Sequence, residues 1–138
     1  MPATFDTVRD LLTTPAFHQW LGLDLLEMAD GSCTIGMDAR PELTADVAGS
    51  YIHGGILGTL LDVAGDFALV TQLGVGLPTI DLRVDYLRPA RPGDQLRASA
   101  TVVRRGRSLG VADAEVATAE GKLLAVGRGV YSTAVAQG

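Results

Sequence analysis

Two aspartates one helical turn apart, Asp62 and Asp66, lie in an otherwise apolar run that opens on His53-Gly54-Gly55. A glycine pair at a helix start either turns the chain sharply or lets a ligand reach bare backbone N–H groups. Those amides, at the positive end of the helix dipole, suit a developing oxyanion such as a polarised thioester oxygen. A carboxylate among Leu60, Leu61, Val63 and Ala64 is out of place unless it pairs or works, and the work it suits is that of a base or a nucleophile. Asp66 shares that side of the helix and reads either as a ligand contact or as one half of an arginine pair. Two acids so close can also raise each other's pKa.

Spacing constrains these groups further. Gly54 and Asp62 are separated by eight residues, or about 12 Å along a helix. They cannot polarise and attack one carbonyl from within one chain. A joint site therefore requires a second copy running antiparallel beside the first, with Gly54 of one opposite Asp62 of the other. Gly58, Asp62, Gly65, Asp66 and Leu69 form a stripe whose small members permit another backbone to approach.

Other candidates are weaker. Gly106-Arg107-Ser108-Leu109-Gly110 matches the G-x-S-x-G pattern, but strands on both sides and no histidine after Ser108 make it a hairpin turn. His53 caps or packs near the helix start, or contacts ligand. Arg88, Arg91, Arg104, Arg105 and Arg107 fall at strand ends, as a solvated rim or as a landing point for a phosphorylated carrier. Two histidines without an acid or cysteine cluster at ligand spacing predict no metal.

The elements that must position these groups are legible from periodicity. Phe5–Leu12 and Pro15–Trp20 have helical character, an N-terminal segment over residues 1–20. Leu23–Met28 and Cys33–Met37 flank an Asp30-Gly31 turn. Residues 39–52 read as a loop, and His53–Leu73 as one helix apolar on nearly every side, hence buried. Ile80–Tyr86 alternates with period two. Leu96–Arg104, Ser108–Thr118 and Lys122–Thr133 complete four strands, expected as an antiparallel meander. Ala125, Gly127 and Gly129 share a face that lets the helix lie close. The class is α+β, one domain over residues 1–138.

Composition removes several functions. The chain has 138 residues, 47% of them hydrophobic, and a net charge of −5, with a pI near 4.8. An acidic protein without a basic face is not a nucleic-acid binder. Met1–Arg9 lacks the pattern of a secretory leader. Ile56–Leu77 contains Asp62, Asp66 and Gln72 and lacks basic flanks, so it reads as a core helix and not as a membrane span. The one cysteine, Cys33, suits a reducing cytoplasm.

Taken together, His53-Gly54-Gly55 with Asp62 after the x₆ spacer, Leu21-Gly22-Leu23, the run Asp81 to Gly93 and Gly121–Ala125 resemble the hotdog-fold acyl-CoA thioesterases of the PaaI-like branch, over residues 17–133. The resemblance implies a long helix wrapped by a curved antiparallel sheet, in homodimers that usually pair into homotetramers. It implies hydrolysis of an acyl-CoA, with coenzyme A part of the substrate and no separate cofactor. By position, Gly54 is the oxyanion amide and Asp62 of the partner subunit the base or nucleophile. Thr79 falls where the family often has a hydroxyl near the attacking water, and Asp66 where some members also have one. Substrate contacts are expected from His53, Gly55, Asp66, Thr79, Arg88, Arg105 and the residue seven before Gly54. That position commonly holds Asn or Gln; here it holds Val47, with Asp46 and Ser50 as its polar neighbours. The departure keeps a second function open, a non-catalytic acyl-CoA-binding module on the same fold. A hydratase, which needs Asp and His together, ranks below both.

Overall fold

The computed structural model describes residues 2–137. Helices α1 (Phe5–Thr13) and α2 (Ala16–Leu21) precede strands β1 (Asp24–Ala29) and β2 (Ser32–Asp38). The central helix α3 (Gly54–Leu73) follows, then β3 (Thr79–Tyr86), β4 (Gln95–Arg105), β5 (Leu109–Thr118) and β6 (Leu123–Ser132). Short 3-10 turns occupy Pro41–Leu43 and Ala134–Gln137.

Local chemistry sets the boundaries. Thr4 caps α1 by accepting from the Thr7 N–H at 3.2 Å, as an N-cap threonine should. Gly22 closes α2 at φ 75° and returns its N–H to His18 and Gln19 carbonyls. The Asp30-Gly31 turn joins Ala29 to Ser32, and Gly31 takes φ 84°. Thr71 Oγ1 accepts from the Gly31 N–H at 2.9 Å and donates to the Ala68 carbonyl at 2.6 Å. That hydroxyl fixes the hairpin to the helix.

One six-stranded antiparallel sheet carries the order β1-β2-β4-β5-β6-β3. The expected four-strand meander is thus corrected: β4, β5 and β6 follow one another, but β3 leaves the sequence order and pairs with β6. The reason lies in the connections. Turns at Gly106–Ser108 and Ala119–Lys122 are short. Leu87–Asp94 contains Pro89 and Pro92, and its length lets β3 stay on the far edge. Gly127 makes that pairing possible, because a Cβ there would sit 2.6 Å from the Arg83 carbonyl oxygen.

Helix α3 lies in the concave side of this sheet. Leu57, Leu60, Leu61, Ala64, Phe67, Ala68, Leu69 and Val70 are all buried and pack on β2, β4, β5 and β6. Each large apolar side chain contributes about 1.5–3 kcal/mol by leaving water. By length and composition α3 could cross a membrane, yet two-thirds of its apolar window is buried inside the fold, the pattern of a core helix. Cys33 points into the same core, its Sγ donating to the Ala64 carbonyl. Burial pushes that thiol up to about 12, with the Asp66 charge adding to the effect, so it is not a nucleophile.

The glycine stripe on α3 proves to serve the chain's own tyrosines. A Cβ on Gly65 would collide with the Tyr131 hydroxyl, and one on Gly58 would touch the Tyr86 hydroxyl at 3.5 Å. The small residues therefore admit two rings from β6 and β3. Phe67 and Leu69 are core residues, Phe67 edge-on to His18 and Leu69 against Gly110.

Candidate functional site

The first turn of α3 is built to leave one amide free. His53 is the N-cap, with extended ψ of 131°. Its Nδ1 accepts from the Gly55 N–H at 2.8 Å, and its carbonyl accepts from the Ile56 N–H at 2.9 Å. The Gly54 N–H has no acceptor among the described residues. A helix start normally leaves several orphan donors; here the cap narrows them. Glycine at both positions avoids crowding of two neighbouring side chains. A Cβ at Gly55 would lie 2.9 Å from His53 Nδ1, and one at Gly54 would lie 3.3 Å from the Tyr86 ring. Tyr86 in turn donates its hydroxyl to the Gly54 carbonyl at 2.8 Å, which pins the end of β3 to this turn.

Two turns along, Asp62 is half-buried. Its Oδ1 accepts from the Thr79 hydroxyl at 2.7 Å, and its Oδ2 has no partner among the described residues. Tyr131 reaches through the gap at Gly65 and donates to the Asp62 carbonyl at 2.8 Å. Burial, then the charges of Asp62 and Asp66, push the Tyr131 hydroxyl well above the usual phenol range, so it remains a donor. The Gly65–Gly129 pair was the only sequence signal for this ring. A Cβ at either glycine would strike it.

Asp66 is also half-buried, and its Oδ1 accepts from the Leu77 N–H at 3.0 Å. Among the described residues it pairs with no arginine. Burial pushes its carboxyl from the ordinary 3.8 up to about 7; the Leu77 N–H opposes that rise and the Asp62 charge adds to it. Between those two values the folded chain holds the proton and the unfolded chain has lost it. Stability from this group is intact below the lower value and falls as pH climbs to about 7. Asp66→Asn cannot ionise. Its melting temperature relative to the native chain should therefore rise by about 5 °C between about pH 5 and about pH 8; a pH-independent difference would contradict the buried acid.

The other predicted contacts separate. Val47 is fully exposed in a turn closed by Asp46, whose carboxylate accepts from the Ser50 N–H at 2.8 Å and from the Ser50 hydroxyl. Those bonds, the hydroxyl's first, hold the Asp46 carboxyl below its usual range. Both polar neighbours of Val47 are thus committed to each other. Arg88 donates to the Leu123 carbonyl at 3.0 Å, near the start of α3. Arg105 lies beside Gln72 and Leu73 at the helix end. Within one chain a helix length of about 30 Å divides them.

Comparison with known proteins agrees with this architecture. Residues 49–125 match the thioesterase superfamily model. A Halobacterium salinarum protein described only as an esterase is 41% identical over 123 residues, covering 81% of this chain and 80% of its own. The acyl-coenzyme A thioesterase PaaI of Escherichia coli is 33% identical over 111 residues, 79% of this chain and 76% of that one. The solved structure of zebrafish thioesterase superfamily member 2 superimposes with a TM-score of 0.84 at 26% identity, over 95% of this chain and 99% of the other. The chain belongs to the thioesterase superfamily and has the hotdog fold. Its relatives place it with the PaaI-like members.

Proposed function

We propose that this protein hydrolyses acyl-CoA thioesters in a site completed by a second copy of the chain. The observation that carries the proposal is the pairing of one free amide, Gly54 N–H, with one free carboxylate oxygen, Asp62 Oδ2, on the β3 side of the same helix. Within a chain they stand about 12 Å apart along the axis. A two-fold axis beside β3 brings Gly54 of one copy to Asp62 of the partner subunit. The state of β3 supports that axis. It ends the sheet, and Ile80 and Tyr86 on it are each more than half exposed. An uncovered edge strand of this kind invites pairing with another strand. The assembly is accordingly a homodimer, or a homotetramer of two such dimers.

In this reading the Gly54 N–H and the helix dipole take up the charge that develops on the thioester oxygen. Asp62 of the partner subunit acts by one of two routes. As a base it takes a proton from water while hydroxide attacks the carbonyl carbon; collapse then releases CoA thiolate, which is protonated. As a nucleophile it displaces the thiolate to give a mixed anhydride that water cleaves. With water opening the anhydride at the aspartyl carbonyl, solvent ¹⁸O in a single turnover separates them: it enters the acid product by the first route and the Asp62 carboxyl by the second. The Thr79 hydroxyl aims the carboxylate by occupying Oδ1 and leaving Oδ2 to react.

Val47 favours a second reading, a binder without turnover, because it offers no amide to place the water or thioester. A thiol-release assay over acyl-CoAs of graded chain length and aromatic acyl groups decides. Turnover of any of them supports the hydrolase. Tight binding of acyl-CoA without free thiol would replace it by the binding module.

A further inference from the structure

Two carboxylates on α3 hold two points on the incoming strand. Asp62 takes the Thr79 hydroxyl at 2.7 Å and Asp66 takes the Leu77 N–H at 3.0 Å. The spacings agree. Four helical residues rise about 6 Å and two extended residues about 6.6 Å, so an antiparallel pair of contacts falls in register. The first residues of this connection are otherwise open. Gly74 leaves the helix at φ 71°. Val75 and Gly76 are exposed, and a Cβ on Gly76 would meet nothing. Beyond that, the Leu77 side chain is buried in the core at 7% exposure, and the Pro78 carbonyl accepts from the Ser132 N–H at 2.9 Å.

We propose that Asp66 is a positioning residue for the thioesterase reaction: by holding the Leu77 N–H it sets the register of β3 against α3 and so keeps the Thr79 hydroxyl on Asp62. This rests on the hydrolase reading above. It also accounts for an acid that the sequence presents either as a ligand contact or as half of an arginine pair. Asp66 works through the strand and does not touch the reacting atoms. The contact needs an acceptor oxygen and no charge, which a protonated acid or an amide supplies equally well.

The test is steady-state kinetics on the full chain with one turned-over acyl-CoA. Asp66→Ala should lower kcat by about 10²-fold, the cost of a misplaced catalytic group, with KM within about twofold of native. Asp66→Asn should recover most of that loss. Thr79→Ala should lower kcat similarly, and the double Asp66→Ala/Thr79→Ala variant should be no worse than the poorer single, since both break one linkage. Native kcat in Asp66→Ala, or losses that multiply in the double variant, would overturn the proposal. If the native chain turns over no acyl-CoA, the hydrolase reading fails instead. The register role is then decided by hydrogen exchange at the Leu77 amide. Protection lost in Asp66→Ala and kept in Asp66→Asn supports it; protection kept in both refutes it.

Discussion

Asp62→Asn lowers kcat by about 10²–10⁴ and leaves KM nearly unchanged, as expected when a base is lost and binding is not. The substitution is close to isosteric. The amide oxygen still accepts from Thr79, which donates to Oδ1 at 2.7 Å, and Tyr131 still holds the backbone carbonyl of residue 62. What disappears is the second, unpartnered oxygen as a proton acceptor or nucleophile. A drop in KM together with kcat would instead assign Asp62 to ground-state strain, and undiminished turnover would remove it from the chemistry.

The second large effect is expected at the helix start. Gly54→Pro should lower kcat by about 10²–10³, the loss seen when a single oxyanion donor is removed. The helix itself tolerates this change, because proline is well placed at the first helical position. The preceding His53 is already extended, at ψ 131°, as a residue before proline must be. Gly54→Ala is the control. It adds a Cβ at the same 3.3 Å from the Tyr86 ring but keeps the N–H, and should stay within about tenfold of native. Equal losses in the two variants would mean that crowding of Tyr86, and not the missing donor, is responsible.

The sequence made some of this arrangement legible and hid the rest for identifiable reasons. Helix α3 was plain because an apolar run bounded by Gly54 and Gly74 has no other economical home than a core. The hairpin at Asp30-Gly31 and the turn at Gly106 were plain because each turn has its own residue chemistry. The place of β3 was not. Alternation in Ile80–Tyr86 reports a strand, yet it says nothing about which neighbour that strand takes, and Pro89 and Pro92 in the following connection end the strand without saying where the chain goes next. The glycines on α3 recorded that something comes close without recording what. Tyr131 and Tyr86, distant in the chain, were the answer. Asp66 was visible as a misplaced acid, but its partner is a backbone N–H at Leu77, and a backbone group leaves no mark in the sequence.

Arginine placement has a similar lesson. Arg88 and Arg105 belong to opposite ends of α3 within one chain, so a common role on one phosphorylated carrier would have to be assembled across copies. That requirement is shared with Gly54 and Asp62 and leads to the same experiment.

Mixing inactive chains tests the shared site most directly. Gly54→Pro and Asp62→Ala chains, carrying different tags, are denatured, mixed in equal amounts and refolded together. In each mixed dimer one site holds both defects and the other holds native Gly54 from one chain and native Asp62 from the other. Half of randomly formed dimers are mixed, so about a quarter of native activity should return. Mixed dimers recovered through both tags and still inactive would contradict a site built from two chains.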